Sequence, residues 1–415
     1  MRPPSAMVLS DVDPREAVPK KTGLPELDRV LGGGLVPGSV TLLAGEPGVG
    51  KSTLLLQALR SRADMGSPVL LVAAEESAQQ VRLRAERLGP LPDGLLVLSG
   101  TDVMAVVEAV SETGADLVVV DSIQAVSLPD VAGPPGSLAQ VRACSEVLVA
   151  LAQAHRAAVV LVGHVTKQGT LAGPRSLEHL VDTVLTVEGD RHHALRMVRA
   201  VKHRFGPTGE LGLFEMGEGG LAEVSDPYRM LLGDRRPEAT GSAVLPTVEG
   251  ERAIVVELQA LVSHANGGNP RRTVRGLEPG RIGLLLAVIE QRCAVRLARS
   301  DVYCSVAGGM RVSEPAADMP MAMALVSATT GVPVPPNLFA FGEVGLAGEV
   351  RQVPHALRRL TEAHRLGFRQ AVVPSSTPAC SPGLELFRVD SVADAVNLVA
   401  RVQTRTGHGL RLAGA

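Results

Sequence analysis

The chain has 415 residues, 45% of them hydrophobic and 20% charged, which excludes a disordered or fibrous protein and leaves room for two or three globular domains. Its formal net charge of −2 excludes a generally basic nucleic-acid coat, so any contact with nucleic acid needs positive charge gathered on one surface. Aromatic residues make up 2% with no Trp, which argues against gripping single strands chiefly by stacking.

Residues 1–20 are rich in Pro and show no period, so a flexible arm is expected there. Thr22 to Leu35 reads as helical and ends on Gly32-Gly33-Gly34. Val40 to Ala44 is a short apolar strand, followed by a Gly-rich loop and a Leu-rich helix from Lys51. Apolar runs recur at Val69–Ala73, Leu95–Leu98, Leu117–Val120, Val159–Val162 and Val184–Val187, separated by helical stretches such as Ala78–Leu88, Val103–Thr113 and Leu138–His155. Nearly continuous apolar strands alternating with helices predict an α/β fold on a buried, mostly parallel sheet. This first domain is expected over 21–224 and a Pro- and Gly-containing linker over 225–240. A second α/β domain is expected over 241–415. It would have a strand at Ala253–Val262, helices at Gly280–Arg292, Ala316–Thr329 and His355–Leu366, and a hairpin between Phe339–Gly345 and Gly348–Val353.

The four cysteines, Cys144, Cys293, Cys304 and Cys380, form no C-x-x-C pair, so no zinc site is expected. Their scatter fits buried thiols in a reducing compartment. With no apolar leader and no apolar run of 18 residues, the expected location is the cytoplasm, with no membrane partner.

Gly45-Glu46-Pro47-Gly48-Val49-Gly50-Lys51-Ser52, followed by Thr53, fits G-x-x-x-x-G-K-[ST] in the required context, after a strand and opening a helix. Glycines let the backbone wrap phosphates so that its N–H groups and the helix N-terminus face negative charge. Lys51 would reach the terminal phosphates of ATP and Ser52 would hold Mg²⁺. Leu117–Val120 ends in Asp121, the Walker B pattern, with Asp121 placed to orient the metal. Val69–Ala74 ends in Glu75-Glu76; one carboxylate there could polarise the attacking water, while two acids at a helix start also suit the helix dipole.

With these residues in view, the chain resembles the bacterial RadA (Sms) family of DNA-repair ATPases, which is related to RecA and to DnaB-type helicases. The markers are Leu24-Pro25-Glu26-Leu27-Asp28-Arg29-Val30-Leu31-Gly32-Gly33-Gly34-Leu35, the phosphate loop, Ala74-Glu75-Glu76-Ser77, Gly163-His164-Val165-Thr166-Lys167, Ala172-Gly173-Pro174-Arg175 to Asp182, and Lys202-His203-Arg204-Phe205-Gly206. The last resembles a K-N-R-F-G motif with His203 in place of Asn. The resemblance implies a RecA-like P-loop core with Glu75 as catalytic base and His164 as a sensor of the γ-phosphate. It implies that Lys202 and Arg204 reach the ATP of a neighbouring subunit in a ring, the expected assembly being a homo-hexamer. A loop over 163–175 would touch DNA through Lys167 and Arg175. The implied partners are single-stranded DNA and recombination intermediates, with a recombinase or the replicative helicase as protein partners. The family's four-cysteine zinc ribbon has no counterpart here, since no Cys precedes Cys144.

From about Gly241 the chain resembles the Lon protease domain, on Glu314-Pro315-Ala316-Ala317-Asp318, Phe341 to Val350 and the helix ending Glu362-Ala363-His364-Arg365. The nucleophilic Ser position falls on Ala316 and the Lys base on Leu357, and no Lys follows Lys202. Arg cannot serve as the base because its guanidinium stays protonated, so a Ser–Lys protease is excluded. Arg271, Arg272, Arg275 and Arg281 make a basic strip that suits DNA phosphates or a solvated loop. The function expected is a DNA-dependent ATPase acting as a ring-shaped motor in recombination and repair. The alternative is a regulatory ATPase switch resembling KaiC.

Overall fold

The computed structural model describes residues 8, 10, 13–164, 176–189, 194–224, 226–236, 238–265, 269–378 and 383–405. They fall into two compact units, Met1–Val224 and Ser225–Ala415.

In the first unit the elements are α1 (Pro25–Val30), β1 (Val40–Gly45), α2 (Lys51–Asp64), β2 (Val69–Ala73), α3 (Ala78–Arg87), β3 (Leu95–Ser99), α4 (Val103–Thr113), β4 (Leu117–Asp121), α5 (Leu138–His155), β5 (Ala158–His164), α6 (Ser176–Leu180), β6 (Thr183–Glu188), β7 (Leu195–His203), β8 (Leu211–Gly217) and β9 (Gly220–Glu223). They build one nine-stranded sheet in the order β3-β2-β4-β5-β1-β6-β7-β8-β9. The six strands from β3 to β6 run parallel. The remainder is an antiparallel meander.

Alternate side chains of each strand point to opposite faces, which explains the unbroken apolar runs. Leu43, Leu71, Val119 and Val160 meet α1, α2 and α3 on one face. Leu42, Leu70, Val72, Val118, Val120 and Leu161 meet α4, α5 and α6 on the other. Each such fully buried Leu or Val contributes roughly 1.5–3 kcal/mol, so the two cores fix where the strand ends lie.

The second unit comprises α7 (Pro227–Leu232), β10 (Ser242–Glu249), β11 (Arg252–His264), β12 (Arg272–Arg275), α8 (Pro279–Arg292), β13 (Ser300–Val306), α9 (Asp318–Thr330), β14 (Leu338–Ala340), β15 (Glu343–Val344), β16 (Val350–Arg351), α10 (Ala356–Arg365), β17 (Gln370–Pro374), β18 (Glu385–Val389) and α11 (Val392–Arg405). It holds a sheet β10-β11-β13-β12, a parallel sheet β14-β17-β18 and the β15-β16 ribbon. The expected hairpin is therefore shorter than its sequence suggests. Only Glu343–Val344 and Val350–Arg351 pair, while Leu338–Ala340 lies parallel to β17. Within the segment expected as a linker, Asp226 caps α7 by accepting from the Arg229 N–H, and Leu231 and Leu232 are buried.

Candidate nucleotide site

The sheet order reverses around β1, and ligands of open α/β sheets bind beyond the strand carboxyl ends at such a point. The register gathers the candidate residues there. Gly45 at the end of β1 stands beside His164 at the end of β5. Asp121 at the end of β4 pairs with Ala73 at the end of β2, two residues before Glu75.

The loop from Gly45 to Gly50 takes its shape from glycine. Gly48 and Gly50 have φ of 79° and 109°, left-handed values that disfavour a side chain. Gly50 caps α2, so the first N–H groups of a 14-residue helix open onto the loop. A Cβ on Gly45 would lie 2.7 Å from the Val187 carbonyl oxygen. Glu46, Pro47 and Gly48 are exposed, Val49 and Lys51 are buried, and Ser52 and Thr53 are half-buried in the first turn of α2. The Lys51 Nζ donates to the Gly45 carbonyl at 2.8 Å and to the Glu46 carbonyl at 3.0 Å. Burial pulls the Lys51 pKa below its ordinary value, and the negative charges of Asp121 and Glu75 oppose that shift. A cation held by weak neutral acceptors inside the loop is poised to exchange them for phosphate oxygens.

Glu75 and Glu76, indistinguishable by type, part company in space. Glu76 pairs with Arg84 at 3.0 Å. Glu75 instead turns into the site, where its Oε1 accepts from the Ser122 hydroxyl and lies 3.4 Å from the His164 Nε2. The other His164 ring nitrogen, Nδ1, is buried and has no partner among the described residues. Ser122 itself is fully buried. Sequence reasoning passed over Ser122; its one signal was a hydroxyl directly after the strand-end Asp121.

Lys202 and Arg204 lie elsewhere. His203 pairs with Thr183, and Thr183 lies level with Thr41 on β1. That is four residues before Gly45, or about 13 Å along a strand, toward the opposite end of the strands. The Lys202 Nζ donates to the carbonyls of Glu178 at 2.6 Å and Val181 at 2.7 Å. Arg204 donates to Asp182 at 3.2 Å and keeps its side chain 73% exposed. The two cations therefore do not converge on one group, and neither joins the phosphate loop of its own chain.

Lys167 and Arg175 lie outside the described residues. In the second unit, Arg271 and Arg272 are exposed at the start of the edge strand β12, the Arg271 N–H donating to Asp301 at 2.7 Å. Arg281 departs from the basic strip read in the sequence. It is committed to a bidentate pair with buried Asp318, both bonds at 2.5 Å. Ala316 is fully buried and Leu357 is half exposed. Burial pushes the Cys144 thiol to about 11 and the Cys304 thiol to about 12, consistent with inert core cysteines.

Residues 4–170 match the AAA domain family, and residues 289–377 match the family described as subunit ChlI of Mg-chelatase. The DNA repair protein RadA of Brucella abortus is 46% identical over 386 residues, covering 92% of this chain and 82% of that protein. The chain belongs to the RadA family. RadA of Mycobacterium tuberculosis is 45% identical over 404 residues, or 97% of this chain and 84% of its own length. Among solved structures, a KaiC-like protein from Pyrococcus horikoshii aligns with 50% of this chain and 99% of its own at 23% identity, with a TM-score of 0.41. The first unit of this RadA chain is thus a P-loop ATPase domain on an α/β, RecA-like sheet. No helix among the described residues is long and apolar enough to cross a membrane.

Proposed function

We propose that the protein is a DNA-dependent ATPase that assembles into a ring and moves along single-stranded DNA during recombination and repair. The observation that carries the proposal is the division of the candidate set between the two ends of the strands. Lys51, Glu75, Asp121 and His164 gather at the carboxyl ends of the parallel strands, while Lys202 and Arg204 sit about four strand residues away toward their amino ends. A site built this way is completed by a second protomer.

In that reading the loop N–H groups and Lys51 bind the triphosphate of ATP, and Glu75 accepts a proton from the attacking water. His164, already beside Glu75, reports the terminal phosphate to the same carboxylate. Ser52 and Asp121, a hydroxyl and a carboxylate, would hold Mg²⁺ as a hard-oxygen pair. The metal would supply charge neutralisation on the phosphates. Arg204 of a neighbour, exposed and monovalently tied to Asp182, supplies the positive charge in trans. Exposed Arg271 and Arg272 and the sequence-level candidates Lys167 and Arg175 are assigned to DNA phosphates.

The second unit is inferred to be a Lon-like scaffold without peptidase chemistry, because Ala316 and Leu357 offer neither nucleophile nor base. The DNA repair role of the relatives, a hexameric ring and cytoplasmic residence belong to the same proposal.

Steady-state ATP turnover with and without single-stranded DNA tests the motor. The motor requires a faster rate on adding DNA. Equal rates sink it in favour of a nucleotide switch acting on protein partners.

A further inference from the structure

The phosphate loop is gripped from outside by a residue that no motif includes. Arg196 stands second in β7, with only 6% of its surface exposed. Its Nε donates to the Val49 carbonyl at 3.0 Å, and its Nη1 donates to the Leu195 carbonyl at 2.9 Å. Val49 is the residue before Gly50-Lys51 and is itself buried. A phosphate loop turns its N–H groups inward to the ligand, so its outward carbonyls need donors from the scaffold. Arg196 is that donor for Val49.

The neighbouring strands of the meander close the same grip. A Cβ on Gly50 would lie 2.6 Å from the Met216 Cε and 3.5 Å from Leu221, so β8 and β9 press directly on the loop. On the other side of Arg196, a Cβ on Gly189 would lie 2.5 Å from the Arg196 Cδ and 3.2 Å from its Nε. The bare glycine leaves the channel through which the guanidinium reaches Val49.

We infer that Arg196 is a positioning residue for nucleotide binding, holding the phosphate loop in its ligand-ready shape through the Val49 carbonyl. Its Nε reaches a carbonyl of the loop rather than the carboxylate and imidazole at the strand ends, so its effect falls on binding rather than on the chemical step. This inference rests on the phosphate loop being the nucleotide site. Its failure is separable, because Lys51→Ala tests that site directly by abolishing nucleotide binding.

Three variants test it. Arg196→Met keeps the bulk and removes the donor, and Arg196→Lys retains one. Gly189→Ala leaves the arginine in place and pushes it off Val49. In each full-length variant that melts like wild type, KM and Kd for ATP are measured beside kcat. A lost bond from a charged donor to a buried carbonyl predicts about a tenfold or greater rise in KM for Arg196→Met. It predicts a similar rise for Gly189→Ala, partial rescue in Arg196→Lys and little change in kcat. Combining Gly189→Ala with Arg196→Met raises KM by less than the product of the two single effects, since both act through the bond to Val49. If Arg196→Met fails to fold, Gly189→Ala decides alone. Wild-type KM in folded Gly189→Ala, or a loss confined to kcat, overturns the assignment.

Discussion

At the scale of single residues, the choice between Glu75 and Glu76 shows what a sequence can and cannot resolve. Both carboxylates follow an apolar strand and precede a capped helix, so local chemistry ranks them equally. The distinction comes from their partners. Arg84, eight residues on in α3, takes Glu76. Ser122 and His164, delivered by two other strands, take Glu75. The phosphate loop, by contrast, was legible because its shape depends on glycines and a lysine at fixed spacing within one segment. The role of Glu75 as base makes a sharp prediction. Glu75→Gln keeps ATP binding, since the amide still fits the site, and lowers turnover by about 10²-fold or more. Glu76→Gln, losing only a partly exposed pair with Arg84, leaves turnover within about twofold. Single-turnover hydrolysis beside equilibrium nucleotide binding checks both. Comparable turnover in the two variants would remove Glu75 from the mechanism.

At the scale of elements, the parallel half of the sheet was readable and the antiparallel half was not. Strands β1, β2, β4 and β5 are buried on both faces and appear as unbroken apolar runs. Strand β7 is different, because Arg196, Arg199 and Lys202 interrupt its pattern. Two of these charges are in positions that the fold uses. Arg196 bonds to the phosphate loop, and Lys202 ties the carbonyls of Glu178 and Val181 to the strand end. A bulge follows from the register shift opposite Val184 and Leu185, leaving Val201 exposed. The geometry of β7 also sets a test of subunit sharing. In the proposed ring, Lys51→Ala would remove the phosphate ligand of one protomer and Arg204→Ala the cation offered to another. Each variant alone is expected to be inactive. A mixture is expected to recover turnover, because the intact loop of the Arg204→Ala subunit can meet the intact Arg204 of the Lys51→Ala subunit. Mixed assemblies that contain both subunits and stay inactive would contradict an active site shared between protomers, as would wild-type turnover by Arg204→Ala alone.

At the scale of the whole molecule, the second unit spends its charged residues on its own core. Arg359 on α10 is 1% exposed side chain and donates to both oxygens of Glu314, at 2.8 Å to one of them. It donates also to the carbonyls of Pro246 at 2.7 Å and Pro354 at 3.1 Å, and lies 5.9 Å over the Phe341 ring. Glu314 in turn accepts from the Thr247 hydroxyl at 2.6 Å. The segment Glu314-Pro315-Ala316 therefore anchors α10 to β10. A pair with a buried guanidinium is costly to break from the carboxylate side, because Arg359 is left as an uncompensated charge. Glu314→Ala is expected to destabilise the second unit by about 3 kcal/mol or more. The protein has its own reporter for this. It has no Trp, and its two tyrosines, Tyr228 and Tyr303, both lie in the second unit. Tyrosine fluorescence during urea unfolding thus follows that unit, while ATP binding at Lys51 follows the first. In Glu314→Ala the fluorescence transition moves to lower urea and ATP affinity without denaturant stays at the wild-type value. An unmoved fluorescence transition would show that the Arg359 charge is satisfied without Glu314, and that this pair does not hold α10 to β10.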